Sequence, residues 1–363
     1  MKIKQLRLIQ YRNYKTLELY PHEHLTVLVG ENAQGKTNAA EAVYLCASGR
    51  SHRTAKDSEL INWDAPYAYV RLELLRDGIN RCIEMRLIKG GKKQIKIDGA
   101  PISKMGELMG CLNAVIFSPE DLKLVKEGPS ERRRFMDMEL SQIRPVYFYS
   151  LSNYQHVLTQ RNALLKEICA GRMQEKLLEE WDELLGQYGA DIFIARKGFM
   201  EVLSAMAKKM HRDISEKEEL RVTYVPDIKA DDRKGAYEEI LCVLHQMRAD
   251  DIRKGITGKG PHRDDIMLCV NDRDVRVYGS QGQQRTVALS LKLSELGLMQ
   301  KATGEAPVLL LDDVMSELDE KRCAQLIEGI GSYQTILTCT SVPSRLFGDM
   351  YHVEDGQISV LKH

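Results

Sequence analysis

The 363-residue sequence carries no excess of either charge: Lys+Arg and Asp+Glu both number 52. No global field draws a polyanion to it, so any nucleic-acid contact must rest on a local basic patch. No apolar run approaches the roughly 20 residues of a membrane span, which excludes a helical membrane protein. Nothing repeats at a solenoid period. The eight cysteines lack C-x-x-C or other metal spacing, so they read as reduced thiols of a cytoplasmic protein. The nine histidines are scattered, and His22 and His24 make no zinc site with any cysteine. Met1-Lys2-Ile3-Lys4 enters a strand pattern directly, without the apolar stretch of a signal peptide. With 43% hydrophobic residues, the length suits a globular chain of two or so domains.

Gly30-Glu31-Asn32-Ala33-Gln34-Gly35-Lys36-Thr37 fits the phosphate-binding pattern G-x-x-x-x-G-K-[ST]. The apolar run Leu25–Val29 before it reads as a buried strand, and Asn38 to Cys46 after it reads as a helix. Strand, glycine loop and helix are what the chemistry needs, because the helix start offers free N–H groups and a positive dipole end to an anion. In this pattern Gly30 to Asn38 hold ATP, Lys36 meets the β and γ phosphates, and Thr37 holds Mg²⁺.

Downstream, Ala306 to Asp313 reads as an apolar strand ending in two carboxylates. Such a strand suits the middle of a parallel sheet, and ligands bind at its carboxyl end. Asp312 would serve Mg²⁺, and Asp313 would be the general base for the attacking water. The alternative is an Asp-Asp helix cap. Asp319 is better placed to cap a helix over Glu320 to Ile330.

Ser280-Gln281-Gly282-Gln283-Gln284-Arg285 precedes a helical run, Thr286 to Met299, with Leu289, Leu293 and Leu296 on one face. Ser280 reads as its cap, and a capped helix start is also an anion site. Shortly before a two-carboxylate strand, the segment resembles the S-G-G-Q signature of ABC-type ATPases. There it meets the γ-phosphate held by the other subunit. Gln281 replaces the pattern's first glycine, and Ser316-Glu317-Leu318-Asp319 stands where that family has its D-loop.

Further segments extend the likeness: Leu6 to Tyr14, Gly49 to Thr54, Phe117 to Leu122, Gly128 to Asp137 and Gly260 to Asp265. Together they resemble, over essentially the whole chain, the RecF family of bacterial recombination mediators, relatives of SMC-type ATPase heads. The resemblance implies an α/β P-loop ABC-type head with a mixed sheet, split by an inserted mainly helical lobe. It implies an ATP-dependent homodimer with Ser280, Gln281, Gly282 and Gln283 acting in trans. It also implies double-stranded and gapped DNA as ligand, RecR, RecO and RecA as partners, and no membrane.

The chain's own zoning agrees with a split domain. Strand patterns with hairpin turns at Asp77-Gly78, Gly90-Gly91 and Asp98-Gly99 dominate up to about Phe117. Helical patterns follow, broken by a strand-like Leu220 to Val225. Strands and helices alternate again from about Asp264, with a last hairpin at Asp355-Gly356. The expected domains are 1–117 with 264–363, and an inserted 118–263.

Some features read two ways. His52-Arg53 is either a solvated loop or a nucleotide contact. Arg132-Arg133-Arg134 opposes a helix dipole, so it serves either packing or an anionic partner. Lys92-Lys93 and Lys96 lie on a hairpin and suit a basic patch. No histidine follows Thr335 to Thr340 where ABC transporters carry a switch histidine, leaving the hydroxyls of Thr340 and Ser341. With Asp313 in place of the transporters' glutamate, slow hydrolysis is expected. An ABC transporter subunit is the alternative enzyme, and a scaffold using ATP as a folding ligand is the alternative non-enzyme.

Overall fold

Period-two alternation sets the first sheet. In the computed structural model, which describes residues 1–215, 217–316, 323, 326, 330, 331, 333–341 and 348–361, β1 (Lys2–Tyr11) and β2 (Tyr14–Leu19) form a hairpin that buries Leu6, Leu8, Leu17 and Leu19 on one face. The chain then runs through β3 (Leu25–Val29), α1 (Lys36–Ser48), β4 (Tyr67–Arg76), β5 (Ile79–Ile88), β6 (Gln94–Ile97), β7 (Ala100–Pro101) and β8 (Ala114–Phe117). Next come α2 (Leu122–Lys126), α3 (Pro129–Ile143), α4 (Pro145–Cys169), α5 (Leu178–Ile214), β9 (Leu220–Val225), α6 (Arg233–Gln246) and α7 (Arg248–Lys254). It closes with β10 (Asp265–Val270), β11 (Arg273–Asp274), α8 (Val275–Tyr278), α9 (Gln281–Thr303), β12 (Val308–Asp312), β13 (Thr335–Cys339), β14 (Asp349–Glu354) and β15 (Gln357–Val360).

Two compact units result: Met1–Asp121 with Lys292–His363, and Leu122–Leu291. The first holds two sheets. One is antiparallel, in the order β2-β1-β4-β5-β6-β7, with the expected turns at Asp77-Gly78 and Asp98-Gly99. The other is mixed, in the order β15-β14-β3-β13-β12-β8, parallel except for the β14–β15 hairpin. Every residue of β3, β8, β12 and β13 is buried, which is why these strands read as unbroken apolar runs rather than alternations. Helix α1 packs on β8, β12 and β13. Its alanines and Val43 are buried all round, so it shows little amphipathic pattern.

The second unit is mainly helical, with the three-stranded sheet β11-β10-β9. The expected boundary near 264 moves: β10 pairs antiparallel with β9, so the chain stays in this unit through Leu291 and crosses back within α9. Strand and helix patterns alternate again from about 264 in the sequence. Which sheet the strand Asp265–Val270 joins is not written in that pattern, because pairing is non-local.

A buried charge network organises this unit. Arg196 on α5 is 2% exposed and donates to Asp264 Oδ2 and Pro261 O at 2.7 Å, and to Asp137 Oδ1 at 2.8 Å. Burial pushes the Asp264 carboxyl above its ordinary range, even with Arg196 and the Tyr224 hydroxyl holding it down. Arg132 is also consumed internally, at 2.6 Å from Asp265 and 2.8 Å from Glu127 O. Arg133 donates to Asp264 O at 2.8 Å. Of the arginine triple, Arg132 and Arg133 are therefore packing residues that tie α3 to Asp264-Asp265, and Arg134 remains half exposed. Arg196→Met would strand Asp264 without its cation. Breaking a buried pair costs about 3–5 kcal/mol, so the urea midpoint of this unit's unfolding should fall sharply at pH 7. An unchanged midpoint would show that the network adds nothing.

Candidate nucleotide-binding site

β3 ends at Val29, and the loop Gly30–Gly35 carries the chain into α1. Its two glycines answer different needs. Gly35 caps α1 at φ 119°, a conformation closed to side-chain-bearing residues. Gly30 is required by closeness, since a Cβ there would lie 2.2 Å from Val353 O. The second left-handed residue of the loop is Ala33, at φ 67°. Such a strained non-glycine conformation persists only where the surroundings enforce it.

Those surroundings are two hairpins. Asn13 Nδ2 and the Gly356 N–H both donate to Gln34 O, at 2.7 and 3.2 Å. The Tyr14 hydroxyl donates to Gly35 O at 2.9 Å, and the Asp355 N–H to Gln34 Oε1 at 2.7 Å. In sequence, Asp355-Gly356 is a hairpin turn and nothing more. Its position against the loop follows from β14 pairing parallel to β3, which local pattern does not reveal.

Lys36 is 5% exposed, and its ammonium donates to Gly30 O and Glu31 O, both at 2.6 Å. It is held inside the curl of the loop. Thr37 Oγ1 donates to Asp312 Oδ1 at 2.7 Å. Thr338 Oγ1 reaches the same oxygen at 2.8 Å and accepts the Asp313 N–H at 3.0 Å. Parallel pairing of β12 with β13 sets Asp312 opposite Thr338, so both strand ends open beside the loop. Asp313 leaves the strand in the left-handed region, φ 53°, which aspartate tolerates better than most residues. The two carboxylates thus part company: Asp312 is buried on the loop side, and Asp313 is half-buried beyond it.

Thr37 and Asp312 present two hard oxygens in contact beside an anion loop. Mg²⁺ takes one or two protein oxygens and completes its octahedron with water and phosphate, so these residues fit it.

Around α1 lies a second cluster. Glu41, buried, receives Arg12 Nε and Nη2 at 2.9 and 2.7 Å and the Ser51 hydroxyl at 2.5 Å. Burial raises the Glu41 pKa, but the bonds from Arg12 and Ser51 outweigh it and hold the carboxyl below its ordinary range. Arg53 Nη1 donates to Asn38 Oδ1 at 3.0 Å. His52 is no solvated loop residue: its ring meets Tyr44 edge-on at 5.6 Å, and burial lowers its pKa. The position of both over the helix is invisible in sequence, because it depends on how the Gly49–Thr54 segment folds back.

The expected cap at Ser280 is present as a reciprocal box: Ser280 N donates to Gln283 Oε1 at 2.9 Å and Gln283 N to Ser280 Oγ at 3.2 Å. Ser280 and Gln281 are exposed, Gly282 and Gln283 half-buried, all within the Leu122–Leu291 unit. Leu289, Leu293 and Leu296 are buried as expected. The hydroxyl found beside Asp312 is Thr338. Thr340 and Ser341 follow β13 exposed. Glu317 to Asp319 of the D-loop segment, with the Asp319 cap, lie outside the described residues, as does most of Glu320 to Ile330.

The chain matches the RecF/RecN/SMC N-terminal domain family over residues 2–355. It is 49% identical to the DNA replication and repair protein RecF of Alkaliphilus oremlandii, covering 94% of this chain and 93% of that one. It is 44% identical to RecF of Lachnospira eligens, with 99% of both covered. Among solved structures it is similar to the recombination mediator protein RecF with ATP, of the RecFOR pathway, at 39% identity and TM-score 0.94, covering 99% of this chain and 98% of that one. A Smc head domain of Pyrococcus furiosus, at 19% identity and TM-score 0.57, shares the fold. No described helix is long and apolar enough to cross a membrane. The mixed sheet, the P-loop with its paired carboxylate strand and this near-complete match place the chain in the RecF family of SMC-type ATPase heads.

Proposed function

We propose that the protein is an ATP-gated DNA clamp for replication and recombinational repair in the cytoplasm. The observation that carries this is the contact of Thr37 with Asp312 beside the Lys36 loop, in a chain so similar to RecF solved with ATP. The unit of Met1–Asp121 with Lys292–His363 would be the ATPase lobe and the mainly helical unit the inserted lobe.

Gly30 to Asn38 would wrap the phosphates, and Lys36 would turn from loop carbonyls to the β and γ oxygens. Mg²⁺ held by Thr37 and Asp312 would neutralise those oxygens. Asp313 would take the proton of the water that attacks the γ-phosphorus. Two chains would enclose two ATP molecules, each between one chain's loop and the Ser280–Gln283 helix start of the other. The γ-phosphate then bridges the halves, and its hydrolysis opens them. Asp313 and the absence of a switch histidine favour slow turnover, stimulated by DNA. Duplex DNA near single-strand gaps is the ligand this reading favours, with RecR and RecO as partners and loading of RecA as the outcome. An ABC transporter subunit is disfavoured by the curated relatives, which carry the RecF name.

Ser280→Arg tests the clamp. It should leave ATP binding by single chains intact, yet sedimentation should show no ATP-driven dimer, and hydrolysis should fall with it. Mixed with Lys36→Met chains, it leaves one composite site intact and one doubly defective, so activity should partly return. Loss of ATP binding in the isolated Ser280→Arg chain would place the serine in cis and sink the model.

A further inference from the structure

Trp63 is 91% exposed, the highest exposure of any large hydrophobic side chain among the described residues. Its loop is firmly anchored. Asn62 N–H donates to Gln10 O at 2.9 Å, Asn62 Nδ2 to Arg12 O at 2.8 Å, and Ala65 N–H to Asn62 O at 3.0 Å. The indole is therefore presented to solvent by a rigid support.

Cations stand next to its loop. The turn between β5 and β6 lies against the same loop, with the Lys89 N–H donating to Pro66 O at 3.0 Å and Lys89 Nζ 3.5 Å from Trp63 O. Lys92 follows in that turn, exposed and without an ion pair among the described residues. Two residues back along β5 from Ile88, the partner of Tyr67, the Arg86 guanidinium lies 4.4 Å from the centroid of the Tyr67 ring, a cation–π pair. The exposed acid of the loop is Asp64.

We infer that this corner of Trp63, Tyr67, Arg86, Lys89 and Lys92 binds an unpaired stretch of DNA strand. The inference rests on the DNA reading above and names a surface for it. An aromatic face that takes a base, flanked by cations for the phosphates, is how single strands are held without sequence readout. A base inside a duplex has both faces covered by its neighbours, so blunt duplex leaves the indole idle. A protein partner would need an apolar core of several side chains. The exposed Ile79 sits at the far end of β5 from this corner, nine residues and about 30 Å away along the strand.

The corner is also fastened to the C-terminal end of the P-loop helix. Lys93 Nζ donates at 2.6 Å to the carbonyl of Gly49, the C-cap of the helix that starts at the P-loop. A strand gripped at the turn would load the far end of α1.

The other tryptophan is Trp181, so a Trp181→Phe chain reports on Trp63 alone. With ATP present, oligo-dT and gapped duplex should quench its fluorescence to saturation, and blunt duplex should not. Trp63→Ala should weaken binding of gapped duplex about tenfold or more, the loss of one stacked base, and leave blunt duplex binding unchanged. Trp63→Phe should recover most of it. Lys89→Glu with Lys92→Glu should reduce the salt dependence of single-strand binding. Equal quenching by blunt duplex, or parental affinity of Trp63→Ala for gapped DNA, would overturn the inference while the clamp reading stands. A chain that binds no DNA of any form would overturn both.

Discussion

Lys36→Met is expected to weaken ATP binding by at least two orders of magnitude with little effect on the fold. Lys36 is the only cation in Gly30–Thr37, and its ammonium already sits inside the loop, 2.6 Å from two carbonyl oxygens. A charge-assisted hydrogen bond contributes about 1.5–3 kcal/mol, and the two phosphates offer at least two. Methionine matches the packed aliphatic stem, so α1 should keep its place. The carbonyls of Gly30 and Glu31 lose a donor, which water replaces at the exposed Glu31. Lys36→Arg keeps the charge but not its compactness. The loop is held by bonds from Asn13, Tyr14 and Gly356 to Gln34 and Gly35 and cannot readily widen, so that variant should bind ATP and hydrolyse it poorly. Calorimetric titration, with circular dichroism as the folding control, reads both. Parental affinity in Lys36→Met would remove the loop from nucleotide binding.

Asp313→Asn should lower hydrolysis about a hundredfold or more at unchanged Mg-ATP affinity. A positioned general base contributes roughly 10²–10⁴ in rate. Asparagine has the same shape, tolerates the left-handed backbone at φ 53°, and keeps the backbone N–H donated to Thr338 Oγ1. Asp312, which contacts Thr37 and Thr338, is untouched. The substitution therefore separates proton removal from nucleotide holding. Phosphate release at saturating ATP is the measurement, with dimer lifetime as a second readout, since the closed state should persist. Turnover at the parental rate would take the base role from Asp313.

Much of this site is written locally. The P-loop octet, the run ending in Asp312-Asp313 and the Ser280 cap each depend on near neighbours in sequence. Steric limits on φ, apolar runs and capping chemistry make such features legible. The same holds for the unbroken apolar strands of the mixed sheet, which announce burial on both faces. Helix α1 extends two residues beyond the expected Asn38 to Cys46 at each end, because Gly35 and Gly49, both left-handed, define its limits.

The rest was decided by tertiary structure. Gln34 is pinned by Asn13 and Gly356, more than 300 residues apart, because β14 pairs with β3. Thr338, a residue with no expected role, stands beside Asp312 because of the β12–β13 register. Arg132 and Arg133, a charged run in sequence, are internal ties because Asp264 and Asp265 fold against α3. The 264 boundary moved to 291 for the same kind of reason, a strand choosing its partner. Sequence by itself determined the P-loop with its strand and helix, the carboxylate strand, the Ser280 cap and the chemical groups they carry, since those follow from local sterics and periodicity. Which groups meet was left to pairing between distant strands and to the burial of charge, interactions whose energies exist only once the chain has closed upon itself.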